Sequence, residues 1–155
     1  MGQSPINNGG GRTWFTPSSG EWYYILFNRE PSSGVRFAKG KVNGVNGLIL
    51  LPDDWDESKY NLKSTNDESA KFNSNKVSSG DWTNIFEPAG AVFLPVAGMR
   101  DQLNVADVDS FGGYYASEVP ANLWFEDDKV EIILIEDKYT YLGQSIRLVC
   151  PVDKL

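Results

Sequence analysis

Ala121-Asn122-Leu123-Trp124-Phe125-Glu126 is the stretch on which the fold turns. Side chains alternate across a strand, so Ala121, Leu123 and Phe125 share one face, which reads as core. Asn122, Trp124 and Glu126 share the other, which reads as exposed. Asp127-Asp128 follows, and then a second apolar run from Val130 to Ile135. Working outward, Tyr114 to Ser117 and Ala91 to Leu94 read as further strands. Ser145 to Cys150 ends the series, with Ile146, Leu148 and Cys150 on one face and Ser145, Arg147 and Val149 on the other. Towards the start, Val35 and Phe37 alternate with polar neighbours, and Leu48 to Leu51 is a continuous apolar run suited to a buried strand. Asn43-Gly44 and Asn46-Gly47 are turn dipeptides able to take positive φ. Residues 53–76 are rich in Asp, Ser, Asn and Lys and read as a long surface excursion.

Two helix signals precede and interrupt these strands. Ser18-Ser19-Gly20-Glu21-Trp22 fits a capping box, with Trp22, Ile25 and Leu26 on one face and Pro31 as a stop. Ser78-Ser79-Gly80-Asp81-Trp82 repeats the phrase, with Ile85 and Phe86 at the same spacing and Pro88 beyond. Each phrase drives a Trp towards a core. Helices and strands are segregated rather than alternating as βαβ. The fold class is therefore α+β: two short helices on a largely antiparallel, twisted sheet with long irregular loops.

The bulk numbers fit one domain. The chain has 155 residues, 41% of them hydrophobic, and a formal net charge of −7 from 14 basic and 21 acidic side chains. No basic run exceeds two residues, which argues against nucleic acid and anionic membrane as partners. The longest apolar run, Ala91 to Gly98, spans 8 residues, far short of the roughly 20 that cross a bilayer. The opening MGQSPINNGGGR is polar, carries no signal-peptide pattern and reads as a tether over residues 1–13. The domain is expected over 14–155, as a cytoplasmic chain or as a mature piece of an exported one.

Several chemistries lack their residues. The chain contains no histidine and one cysteine. That removes His-dependent nucleophile systems, His acid–base catalysis, internal disulfides and nearly all zinc sites. No Gly-rich phosphate loop is present. No catalytic residue, metal or cofactor is expected. Asp53, Asp54, Asp56 and Glu57 crowd around Trp55, but an EF-hand counted from Asp54 places Lys59 where glycine belongs, so they read as a solvated loop. Asp101, Asp107 and Asp109 read as surface charge. Arg147 is expected to pair with a carboxylate on its apolar strand. Cys150 reads as a small buried hydrophobe.

Three stretches carry a resemblance. Gly44-Val45-Asn46-Gly47-Leu48-Ile49-Leu50-Leu51-Pro52-Asp53-Asp54-Trp55, Ala89-Gly90-Ala91-Val92-Phe93-Leu94-Pro95-Val96-Ala97-Gly98 and Gly143-Gln144-Ser145-Ile146-Arg147-Leu148-Val149 resemble, together with the two helix phrases, the FISUMP-type major paralogous domain of gut and rumen bacteria. The similarity runs from about Trp14 to Val152. It implies a C-type lectin-like fold and a secreted or surface-anchored domain, as in a lipoprotein or adhesin, possessing a lipid or domain tether at its N-terminus. Where that family reads Gly-x-Tyr-Trp-Ser-Ser, this chain has Gly113-Tyr114-Tyr115-Ala116-Ser117-Glu118. The expected function is non-catalytic binding or adhesion, with a carbohydrate or protein ligand. A structural spacer or tip module and a carboxylate-based glycan hydrolase are the rivals. Recognition is expected on the exposed face of the C-terminal sheet, centred on Trp124 with Asn122 and Glu126, and on loops supplying Glu118, Asp127, Asp128, Tyr139 and Tyr141.

Overall fold

A computed structural model describes residues 6–7, 13–118, 121–134 and 141–150. Within the stretch expected as a tether, β1 (Ile6–Asn7) pairs antiparallel with β2 (Thr13–Trp14). The Ser18 signal is realised in full. The Ser18 hydroxyl accepts the Glu21 N–H, the Glu21 carboxylate accepts the Ser18 N–H, and α1 (Ser19–Tyr23) begins there. After Tyr23 the helix widens into a π turn, Tyr24–Asn28, which ends when the Arg29 N–H bonds back to Tyr24.

β3 (Phe37–Val42) and β4 (Val45–Leu50) form a hairpin through Asn43 and Gly44, both at positive φ. The second turn dipeptide behaves otherwise. Asn46 and Gly47 lie inside β4, where a side chain on Gly47 would meet the Phe93 ring at 2.3 Å. That glycine therefore serves close packing and not a turn. β5 (Lys76–Val77) adds parallel to β3, and β6 (Val92–Pro95) adds antiparallel to β4, giving the order β5-β3-β4-β6. Between β5 and β6, Ser78 caps α2 (Ser79–Asp81), which also passes into a π turn, Trp82–Phe86.

Both faces of this sheet are buried, which is why Leu48 to Leu51 shows no alternation. Phe37, Leu48 and Leu94 enter one core with Trp22, Leu26, Phe72, Leu123 and Phe125. Ala38, Ile49 and Phe93 turn the other way, into a core with Trp55, Leu62, Phe86 and Trp82. Residues 53–76 are thus no mere surface excursion. Trp55, Leu62, Ala70 and Phe72 are all buried, and the polar residues between them hold the turns.

The rest of the chain builds a hairpin, β7 (Met99–Asp101) and β8 (Asn104–Ala106), and a second sheet. In that sheet β10 (Ala121–Glu126) lies between β9 (Gly112–Tyr115) and β11 (Lys129–Leu134). The molecule is α+β, as expected, with mostly antiparallel pairing. It divides its strands between two main sheets where one was expected. Ser145 to Cys150 is not a strand: Ser145 and Val149 make single bridges to Tyr114 and Phe15. Ile146 and Arg147 are exposed there, so Arg147 is not the charge on a buried strand expected of it, and among the described residues it makes no salt bridge.

Candidate functional site

Alternation along β10 is right about the core face and only partly right about the other, where the Glu126 side chain is exposed but Asn122 is not. Leu123 and Phe125 are fully buried. Asn122 is 2% exposed, not solvent-facing, and its Oδ1 has no hydrogen-bond partner among the described residues. Trp124 is half-buried. Phe111 packs against its ring edge-to-face at 5.0 Å, and the buried indole N–H has no acceptor among the described residues. The cover comes from the residue before β9, because Gly113 opposite Trp124 leaves room for it. A free aromatic platform is therefore absent at Trp124.

The other expected residues separate. Glu118 sits before the start of β10, at the opposite end of that strand from Glu126, where its carboxylate accepts the Ser19 N–H at 2.8 Å and so extends the cap of α1. Tyr141 is 58% exposed. Tyr139 lies outside the described residues. Glu126, Asp127 and Asp128 do come together, in the turn between β10 and β11.

That turn forms one wall of a polar cleft of about 500 Å³. Lys41 and Asn46 reach it from the β3–β4 hairpin, Lys71 and Asn73 from the long loop, and Asp109 from the segment before β9. Several bonds fix these walls to one another. The Asn46 side-chain amide donates to the Asp109 carbonyl at 2.7 Å. Asp127 accepts the Phe72 N–H at 2.8 Å and faces Lys71 at 3.7 Å. Lys129 bridges Glu126 and Glu131 at 3.2 and 3.3 Å. Asp109, Asn73 and Asp128 stay exposed. The sequence held a signal for this cleft, the Asp127-Asp128 turn after an apolar strand. Nothing in the spacing announced its partners Lys41, Asn46 and Lys71.

Lys39 lies against the same turn and has no accessible surface. β-alternation puts it on the Phe37 face, inside the first core. Its ammonium donates to the Glu68 carbonyl at 2.6 Å and the Glu126 carbonyl at 2.7 Å, and lies 5.8 Å from the centre of the Phe72 ring. Burial lowers its pKa to about 8, against the pull of Asp127 and Asp128. A buried cation this well bonded is a structural clamp: it joins the long loop to the β10–β11 turn.

The acidic loop at residues 53–57 is committed locally. Asp53 pairs with Arg29 at 3.0 Å, and Asp56 accepts the Ser58 N–H and hydroxyl, which lowers its pKa. Trp55 at its centre is buried and stacks on Phe86. Among the described residues no group of three or more acidic or sulfur side chains is placed to hold a metal ion. Cys150 is partly exposed, not buried, and lines an apolar pocket with Phe15 and Tyr24. Among the described residues no helix is long and apolar enough to cross a membrane. The chain matches no family model, no curated protein and no solved structure.

Proposed function

We propose that this chain is a non-catalytic binding domain of an exported bacterial protein, C-type lectin-like in architecture, and that its cleft takes a hydroxyl-rich ligand such as a glycan. One observation carries the reading. Four separate chain segments bring carboxylates, amides and ammonium groups to a single polar cleft. Such a lining offers donors and acceptors in the mixture that vicinal hydroxyls require, since each hydroxyl both gives and takes. The walls are pre-tied by Asn46, Asp127 and Lys39, so little ordering is left to pay on binding. The exported, surface-tethered setting rests on the resemblance of the strand and helix phrases alone. A non-catalytic role fits a chain without histidine whose Asp127 is spent on a backbone N–H and Lys71.

A glycan array tests this directly, run on the parent and on the Lys41→Ala/Asp128→Ala double variant. The expected result is a defined set of bound glycans, lost in the variant while its melting temperature is kept. Turnover of a bound glycan would instead favour a hydrolase. Silence across the array would favour a spacer module.

A further inference from the structure

The β7–β8 hairpin spends apolar surface on solvent. Gln102 and Leu103 form its turn, with Gln102 at φ 53°, and Leu103 is 92% exposed. Val105 on β8 and Val108 just beyond it are 56% and 55% exposed. Single exposed aliphatics need no explanation, but three within six residues concentrate apolar surface at one hairpin and its exit.

The backbone beside that surface also lacks a partner among the described residues. Residues opposite one another on antiparallel strands exchange both of their hydrogen bonds or neither. Arg100 donates its N–H to the Gly143 carbonyl at 2.7 Å and accepts the Gly143 N–H at 2.8 Å, on the side away from β8. Arg100 and Val105 are therefore a non-bonded pair. The Val105 N–H and C=O must then point to the outer edge of β8, where no described residue takes them up. An open edge beside exposed aliphatics is a template for one more strand.

Charge selects the partner. Against one arginine, Arg100, the hairpin and its exit carry Asp101, Asp107 and Asp109. A second copy would set like charges together, each chain with a net charge of −7. A glycan offers no backbone to pair with Val105. We propose that β8 is a strand-addition site for an extended, basic segment of a partner protein, with apolar residues against Leu103, Val105 and Val108 and lysine or arginine towards Asp101 and Asp107. This surface is independent of the glycan reading of the cleft, sharing only Asp109 with it.

The probe is an end-blocked octapeptide of alternating lysine and valine, titrated by calorimetry and followed by amide hydrogen exchange. Binding is expected, with slowed exchange at the Val105 N–H and an affinity at least about tenfold above that of a glutamate–valine control. Val105→Pro removes the edge donor without touching a hairpin bond and should abolish binding. Leu103→Asp should do the same by a different route, and covers the case in which the proline variant misfolds. Asp107→Asn, which tolerates the left-handed backbone at φ 56°, should weaken binding severalfold. Equal binding of the glutamate control, full binding by Leu103→Asp, no binding at all, or concentration-dependent pairing of the chain with itself through the hairpin would each overturn the proposal.

Discussion

Ser18-Ser19-Gly20-Glu21-Trp22 and Ser78-Ser79-Gly80-Asp81-Trp82 start alike and lead to different packing. Both serines cap a helix through the N–H three residues on. In the first unit the α-helix lasts five residues and Trp22 lies inside it, 1% exposed, edge-on to Tyr114 at 6.4 Å. In the second it lasts three, and Trp82 opens the π turn. The residue fully buried there is Phe86, with Trp82 stacked on it at 5.5 Å and left at the rim. The two rings lie nearly parallel, 8° apart, and Trp82 also meets Phe93 edge-on at 5.8 Å. The lesson is that a cap is a local device, whereas the choice of anchor depends on where the turn widens and what the sheet offers.

Deleting the anchors is the hardest test of that difference. Trp22→Ala and Phe86→Ala should each cost about 3–5 kcal/mol by leaving a cavity, and Trp82→Ala only about 1–2. Urea unfolding of the three variants reads this out. A Trp82 variant as unstable as the Trp22 variant would mean that the two units are equivalent after all.

The two cores also differ in what they tolerate. The one led by Trp22 admits the Lys39 ammonium, and the one around Phe86 is apolar and aromatic. Folding lowers the Lys39 pKa from 10.5 to about 8. Between those values the unfolded chain binds more protons than the folded one, so stability attributable to Lys39 rises with pH across that window. Below about pH 8 the cost of burying the charge is borne in full. Relative to Lys39→Met, which does not titrate, the parent should gain roughly 1–3 kcal/mol from pH 7 to pH 10. Paired urea midpoints at the two pH values measure it, and a constant gap would show that Lys39 is not desolvated.

The smallest effect separates the caps. Glu21 closes its box by accepting the Ser18 N–H, whereas Asp81 accepts only the Ser78 hydroxyl. Glu21→Ala leaves a backbone donor unmet and should cost about 0.5–1 kcal/mol, against a few tenths for Asp81→Ala. Thermal melts resolve the order, and equal losses would make the two caps interchangeable.

Legibility in the sequence followed the range of the interactions. The capping box at Ser18, the Asn43-Gly44 turn and the strand Ala121–Glu126 rest on neighbours a few residues away, and all three were readable. Trp124 was misread because its cover, Phe111, is 13 residues upstream and fits only where Gly113 gives it space. Of the polar cleft, only the Asp127-Asp128 turn was visible. Lys41, Asn46 and Lys71 belong to other hairpins and loops, which reach it through the order of strands.

By itself the sequence determined an acidic α+β chain with two capped helices, alternating strands and no histidine chemistry, because composition, caps and period are properties of adjacent residues. The tertiary structure decided that β3 and β4 are covered on both faces, that residues 53–76 give Trp55 and Phe72 to the two cores, and that Lys39 is buried. It also turned the Val105 backbone towards the outer edge of β8, since only the pairing of Arg100 with Gly143 fixes which way that backbone points. Each of these depends on contacts between residues far apart in the chain, where burial and hydrogen-bond satisfaction are settled by the whole fold and local spacing carries no record of the outcome.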